Sequence, residues 1–263
     1  MEKEGKYIYC IVDTSRERNF GPIGLGKNGN SVVTIGYDSL GMVVSNYPLN
    51  QITPTYENML IHTKVIEEVM KEFDSVLPVR FGTVASDANE IRNLLDRRCM
   101  EFKNFLQDME YKIELDVKAF WQNMDIIFSE IVQENQKIKI LKDKIEKDIN
   151  ENKNLYTSEF QKSKIELGKL VQQALTDKKA NEADNILQIL QKSAFDYVLK
   201  KPASDEMVIN SAFLVNKGQE KEFDNTMEEM AIEHNGRIKF IYTGPLPVFN
   251  FVNITIYPEE WEK

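Results

Sequence analysis

Tyr111-Lys112-Ile113-Glu114-Leu115-Asp116-Val117 alternates apolar and charged side chains, the period-two pattern of a strand with one face in water. The stretch is decisive because it stands between two kinds of sequence. Downstream, from about Asn123 to Leu199, proline is absent, Gly168 is the single glycine, and Glu, Lys, Gln and Asn abound. Ile127, Ile131, Ile138, Leu141, Ile145 and Ile149 recur at helical spacing and share one face. The pattern predicts a long amphipathic helix paired in a hairpin with the Leu167 to Leu190 region, turning near Asn150-Glu151-Asn152-Lys153-Asn154. Such a helix can serve as an oligomerisation seam. An intramolecular hairpin is the plainer reading, because coiled-coil seams sustain several heptads.

After Lys201-Pro202 the β pattern returns. Met207 to Val215 reads as a strand, Glu220 to His234 as a helix, and Ile238 to Tyr242 as a strand. Gly244-Pro245-Leu246-Pro247 reads as a rigid break, and Phe249 to Ile256 as a final strand. With 111–117 these make a second small sheet that carries the helices as an insertion. Residues 110–263 are therefore predicted to form a C-terminal α+β domain with a helical hairpin over about 123–199.

Upstream, Tyr7 to Val12 is a β-branched and aromatic strand, and Gly21 to Asn30 a Gly- and Asn-rich loop. Val32 to Ile35 and Met42 to Val44 flank a short polar connection, which predicts a hairpin. Pro54 opens a helix with Leu60, Ile61, Val65, Ile66, Val69, Met70 and Phe73 on one face. Val76 to Val84 is extended, and Pro78 places it at a sheet edge or bulge. Asp87 reads as the N-cap of the next helix, with Glu90 at the capping-box position. This order is close to the split-βαβ, ferredoxin-like plan. The predicted class is α+β in two domains, with a ferredoxin-like N-terminal domain over 1–109.

The net charge of -9 and pI near 5.0 argue against nucleic acid as a partner. Arg97-Arg98 is flanked by Asp96 and Glu101 and reads as solvated helix surface. Cys10 and Cys99 stand far apart without a partner motif and read as reduced thiols. Neither a signal-peptide pattern nor an apolar run of about 18 to 20 residues is present. The expectation is a cytoplasmic protein that does not engage a lipid membrane.

Gly24-Leu25-Gly26-Lys27-Asn28-Gly29 matches the dinucleotide string G-x-G-x-x-G. Its mechanism needs a helix N-terminus behind it, and a strand-like segment follows instead, so it reads as a loop. His62 and His234, the two histidines, have no Cys, His or Asp at metal-ligand spacing. No nucleophile elbow, zincin string or P-loop occurs. No catalytic, cofactor or metal residue is assigned. The sequon at Asn253 falls in a strand-like stretch and carries no meaning here. Arg80 lies between Val79 and Phe81, and an ion pair to an acid such as Glu114 is its expected satisfaction.

Several segments together resemble the gas vesicle protein F/protein L family. They are Gly5 to Tyr9, Leu77 to Val84, Asn210 to Val215 with Phe223-Asp224, and Tyr242 to Ile254. The last is the most specific, since a Gly-Pro-x-Pro break before Phe249-Asn250-Phe251-Val252 is unusual, and it leans towards the F branch. The resemblance implies a two-domain, non-enzymatic accessory component of gas vesicle assembly. Its implied partners are the small apolar main shell protein and other gas vesicle accessory proteins, with no cofactor. An acidic partner with adaptable apolar contacts suits such a client, whose exposed surface aggregates before assembly. The residues expected to bind it are Pro78, Arg80, Phe81 and Val84, by strand addition at the edge, with 1–109 sufficient. Two alternatives remain at this point: a coiled-coil adaptor built on 123–199, and a small-molecule enzyme on a ferredoxin-like fold.

Overall fold

A computed structural model describes residues 4–26, 29–49, 52–151 and 157–256. The chain is an α+β protein built on two antiparallel sheets. The first contains β1 (Glu4–Val12), β2 (Asn19–Gly24), β3 (Asn30–Tyr37), β4 (Leu40–Pro48), β5 (Val76–Pro78) and β6 (Val84–Ala85). Their order is β2-β3-β4-β1-β5, with β6 also on β1. The predicted hairpin is β3–β4, and Asp38 at its tip takes φ 53°. The Gly21 to Asn30 loop is corrected: Asn19 to Gly24 is a strand whose register on β3 shifts twice.

Helix α1 (Tyr56–Met70) covers one face of this sheet, with Tyr7, Tyr9, Val32, Val65, Ile66 and Val69 buried between. Helices α2 (Ala88–Arg97) and α3 (Cys99–Asp108) cover the other, packing Leu95 and Phe102 into one core with Ile8, Ile11 and Leu77. A register shift between Ile8 and Cys10 changes the side-chain parity of β1. That is how both Tyr9 and Cys10 reach the α1 side. Asp87 caps α2 as its sequence position predicts, accepting from Asn89 N (2.7 Å) and Glu90 N (3.1 Å). Glu90 accepts from Ser86 N at 2.7 Å, one residue before the N-cap, a variant of the capping box.

The second sheet holds β7 (Lys112–Trp121), β8 (Asp196–Leu199), β9 (Met207–Asn216) and β10 (Ile238–Leu246), in the order β10-β7-β9-β8. Ile113, Leu115, Val117, Ala119 and Trp121 line one face of β7 at the expected alternation. Over them lie α4 (Met124–Glu134), α5 (Gln136–Asn150), α6 (Ser158–Leu190) and α7 (Glu220–Glu233). The predicted long helix is broken at Asn135, whose side chain caps α5 through Lys137 N and Ile138 N. Residues 152–156 of the predicted turn lie outside the described residues, and 196–199 of the predicted hairpin are strand. Burial of Ile127, Ile131, Ile138, Ile186, Leu187 and Leu190 against the sheet seats these helices on their own chain, at about 1.5–3 kcal/mol per large side chain.

The final strand expected at Phe249 to Ile256 is absent. After β10, Phe251 N and Val252 N both donate to Val248 C=O (3.1 Å), a tight turn. Val248, Val252 and Ile254 then enter the core of the first sheet together with Leu214 of β9. The predicted break at Gly244 to Pro247 is milder than expected. β10 runs on to Leu246 with a register irregularity after Thr243.

Candidate partner-binding surface

The turn between β5 and β6 holds the residues singled out in the sequence, and it is fixed from inside. His62 on α1 is buried at 2% exposure. Its Nε2 lies 3.1 Å from Val79 C=O, and a carbonyl only accepts, so Nε2 carries the proton. Nδ1 is then the acceptor, and Tyr7 Oη donates to it at 2.8 Å. Gly82 N–H donates to Tyr7 Oη in turn, at 3.2 Å. The chain Gly82–Tyr7–His62–Val79 therefore closes on both ends of the turn. It requires a neutral imidazole.

Aromatic rings surround that imidazole. Tyr9 stacks on it at 5.6 Å, Tyr7 and Phe81 meet it edge-on at 5.6 Å, and Phe249 leans on it at 6.2 Å. Tyr9 Oη accepts from Leu25 N–H (2.8 Å) and shares a hydrogen bond with Ser45 Oγ (2.9 Å). Burial pushes His62 down to about 4, with the Val79 hydrogen bond acting in the opposite sense. Burial likewise raises the Tyr7 and Tyr9 phenols, so the cage is uncharged near neutral pH.

Of the expected partner-binding residues, Pro78 is buried in β5, Arg80 is exposed, and Phe81 and Val84 are half-buried. β5 is the terminal strand of its sheet, as the proline predicts. Its flank is partly covered, since Val76 shares a small cavity with Lys112, Lys217, Pro247 and Val248. The expected Arg80–Glu114 ion pair is not formed. Arg80 points to water at the turn, and the side chain that satisfies Glu114 is Asn250. Glu114, 2% exposed, accepts from Asn250 N (2.8 Å) and from its Nδ2. Burial raises its carboxyl above the usual carboxylate range despite those two donors.

Sequence reading missed this clip and the His62–Tyr7 pair. A His on the apolar face of a helix was the available signal for the pair; nothing local marked Glu114, which shares its strand face with Lys112, Asp116 and Lys118. Phe249, which leans on the imidazole, is partly in solvent, and so on α1 are Met59, one turn before His62, and Tyr56 at the helix start (79% exposed).

Other candidates disperse. Gly24 ends β2, Lys27 and Asn28 of the G-x-G-x-x-G string lie outside the described residues, and β3 follows where a helix would be needed. His234 caps α7 with its ring 6.0 Å from Phe240. Cys10 is buried and Cys99 half-buried, both as free thiols. Among the described residues no cluster of His, Cys, Asp and Glu is arranged to hold a metal, and no helix is long and apolar enough to cross a membrane.

Comparison with known proteins gives one answer. Gas vesicle protein F1 of Halobacterium salinarum is 26% identical over 259 residues, covering 98% of this chain and 97% of the relative. Gas vesicle protein F of Dolichospermum flosaquae is 27% identical over 75% of this chain and 77% of its own. The crystal structure of the gas vesicle protein GvpF from Anabaena sp. shares the fold, with a TM-score of 0.79 at 22% identity over 96% of this chain and all of the other. The model described as gas vesicle synthesis protein GvpL/GvpF matches residues 5–253. A match across nearly the whole sequence is decisive: the chain belongs to the gas vesicle synthesis protein GvpL/GvpF family.

Proposed function

We propose that this chain is a non-enzymatic accessory component of gas vesicle assembly that binds the apolar main shell protein and assists nucleation or assembly of the shell. The observation that carries the reading is the family match over residues 5–253. It is supported by the relatives' role in gas vesicles and by the apolar side chains left in solvent around the His62 cage. In this reading residues 1–109 form an α+β domain whose six-stranded sheet, covered by helices on both faces, departs from the ferredoxin-like plan expected for it, 110–263 form a second α+β domain, and the protein works in the cytoplasm on the growing vesicle. Pro78, Arg80, Phe81 and Val84 belong to the binding face. The fixed turn presents Arg80 and Phe81, while Tyr56, Met59 and Phe249 supply apolar area. Pro78 acts by shaping the turn, since it is itself buried.

The test is co-purification of the full chain with the main shell protein. Val248, Val252 and Ile254 complete the N-terminal core, so surface variants of the whole chain are used rather than separated halves. Met59→Asp with Phe249→Asp should abolish capture while the circular dichroism spectrum is kept. Undiminished capture by the folded double variant would move the binding face elsewhere. A wild-type chain that never captures the shell protein would remove the reading itself.

A further inference from the structure

Among the described residues β8 is the outermost strand of the second sheet, paired on one side only, with β9. Lys200 N–H donates inward to Asn210 C=O at 2.7 Å, and Val198 is in register with Ala212. Directions alternate along an antiparallel ladder, so Tyr197 and Leu199 turn their backbone groups outward. Tyr197 N–H is instead caught by the side chain of Asp196 at 2.8 Å. The edge is also apolar in solvent: Phe195, just before the strand, is 74% exposed, Leu199 57% and Tyr197 36%.

Proteins guard such edges by keeping them short and placing charge on them. Here the charges stand at the two ends with opposite sign, in Asp196-Tyr197-Val198-Leu199-Lys200. That arrangement does not repel a second copy; it matches one. An antiparallel copy related by a twofold axis at Val198 sets Tyr197 opposite Leu199, the two residues whose backbone groups face outward. The same register sets Asp196 opposite Lys200, twice. Lys200 already meets Asp116 at 2.8 Å on that face, and in the pair it would lie between two carboxylates. An unrelated strand has no reason to satisfy the backbone direction and both charges in one register.

We propose that β8 is a self-pairing edge through which two copies of this chain join their second sheets into one continuous antiparallel sheet. A contact this small makes a weak dimer, at the low end of interface sizes. The inference is independent of which protein the first domain binds.

The test is the oligomeric state of the full chain by sedimentation and light scattering over a wide concentration range. The wild type should dimerise reversibly. Leu199→Pro removes one outward N–H and none of those directed at β9, and should weaken dimerisation at least about tenfold. Asp196→Lys places like charges opposite each other at both ends and should weaken it similarly with no backbone change, so it decides the matter if Leu199→Pro folds poorly. A wild type that stays monomeric throughout overturns the proposal, whether or not another protein is found on this edge. So does a dimer that persists unchanged in a folded Asp196→Lys variant.

Discussion

His62 should make the stability of this protein depend on pH in a way that one substitution removes. In the folded chain its imidazole is held down to about 4 from an ordinary value of 6.5, by burial. Because the folded value is the lower one, the unfolded chain takes up the proton first as pH falls. The contribution is thus complete above pH 6.5, declines between 6.5 and 4, and is gone below 4. That gap of 2.5 pH units, at about 1.4 kcal/mol each, comes to about 3.5 kcal/mol in the limit. Between pH 7 and pH 5 the loss is about 2 kcal/mol. His62→Gln keeps a donor for Val79 C=O and an acceptor for Tyr7 Oη but cannot ionise in this range. Urea unfolding of both proteins at pH 7, 6 and 5 should show the stability difference shrinking towards low pH. Other groups, Glu114 among them, titrate in both proteins and cancel in that difference. An NMR titration should find the His62 ring neutral down to about pH 5. Parallel stability curves, or a ring that protonates near 6.5, would refute the account of the cage.

Asn250→Ala should cost about 2 kcal/mol in urea unfolding, because it strips a buried carboxylate of a side-chain donor and frees the segment that carries Val248 and Val252; a loss under a few tenths would show that water replaces Asn250 without penalty. Arg237 joins Glu130 (2.6 Å) and Glu182, which also accepts from Trp121 Nε1 (2.7 Å). Arg237→Met should lower the thermal midpoint by an amount corresponding to about 1–2 kcal/mol, discounted for partial exposure, and an unchanged midpoint would class the network as solvated surface. His62→Gln combined with His234→Gln should leave gas vesicle formation intact where the protein is folded and abundant; lost vesicles under those conditions would point to chemistry at a histidine.

Legibility in the sequence followed how locally each feature is determined. The Asp87 cap, the β3–β4 hairpin and the alternation of β7 were readable because a few adjacent residues decide them. β2 was not, because Gly21 and Pro22 punctuate it and it survives only by pairing with β3 through two register shifts. β8 was hidden behind a helix end in a run too short for periodicity. Arg80, between Val79 and Phe81, needs either water or a carboxylate, and an acid such as Glu114 is one answer to that need. Neither sequence position told that a tight turn would carry Arg80 into water, while Asn250 arrives beside Glu114 from 136 residues away.

The stretch from Gly244 to Ile254 shows why a segment can look like a strand and be something else. Its apolar side chains at Val248, Phe249, Phe251, Val252 and Ile254 have the composition of a ladder strand, yet none of them pairs in a sheet among the described residues. Each residue is committed to a different distant neighbour. Asn250 satisfies Glu114 of β7, Phe249 leans on the His62 cage, Val248, Val252 and Ile254 fill the core under β1 and β4, and Thr255 C=O accepts from Arg98 of the α2–α3 junction at 3.1 Å. Leu214 of β9 enters that same core from the second sheet. Two sheets that share buried side chains cannot open independently without exposing them. The connection between them is therefore a packed one, and a partner seated on the His62 cage, as proposed, would also touch, through Phe249, the segment that locks the second sheet to the first.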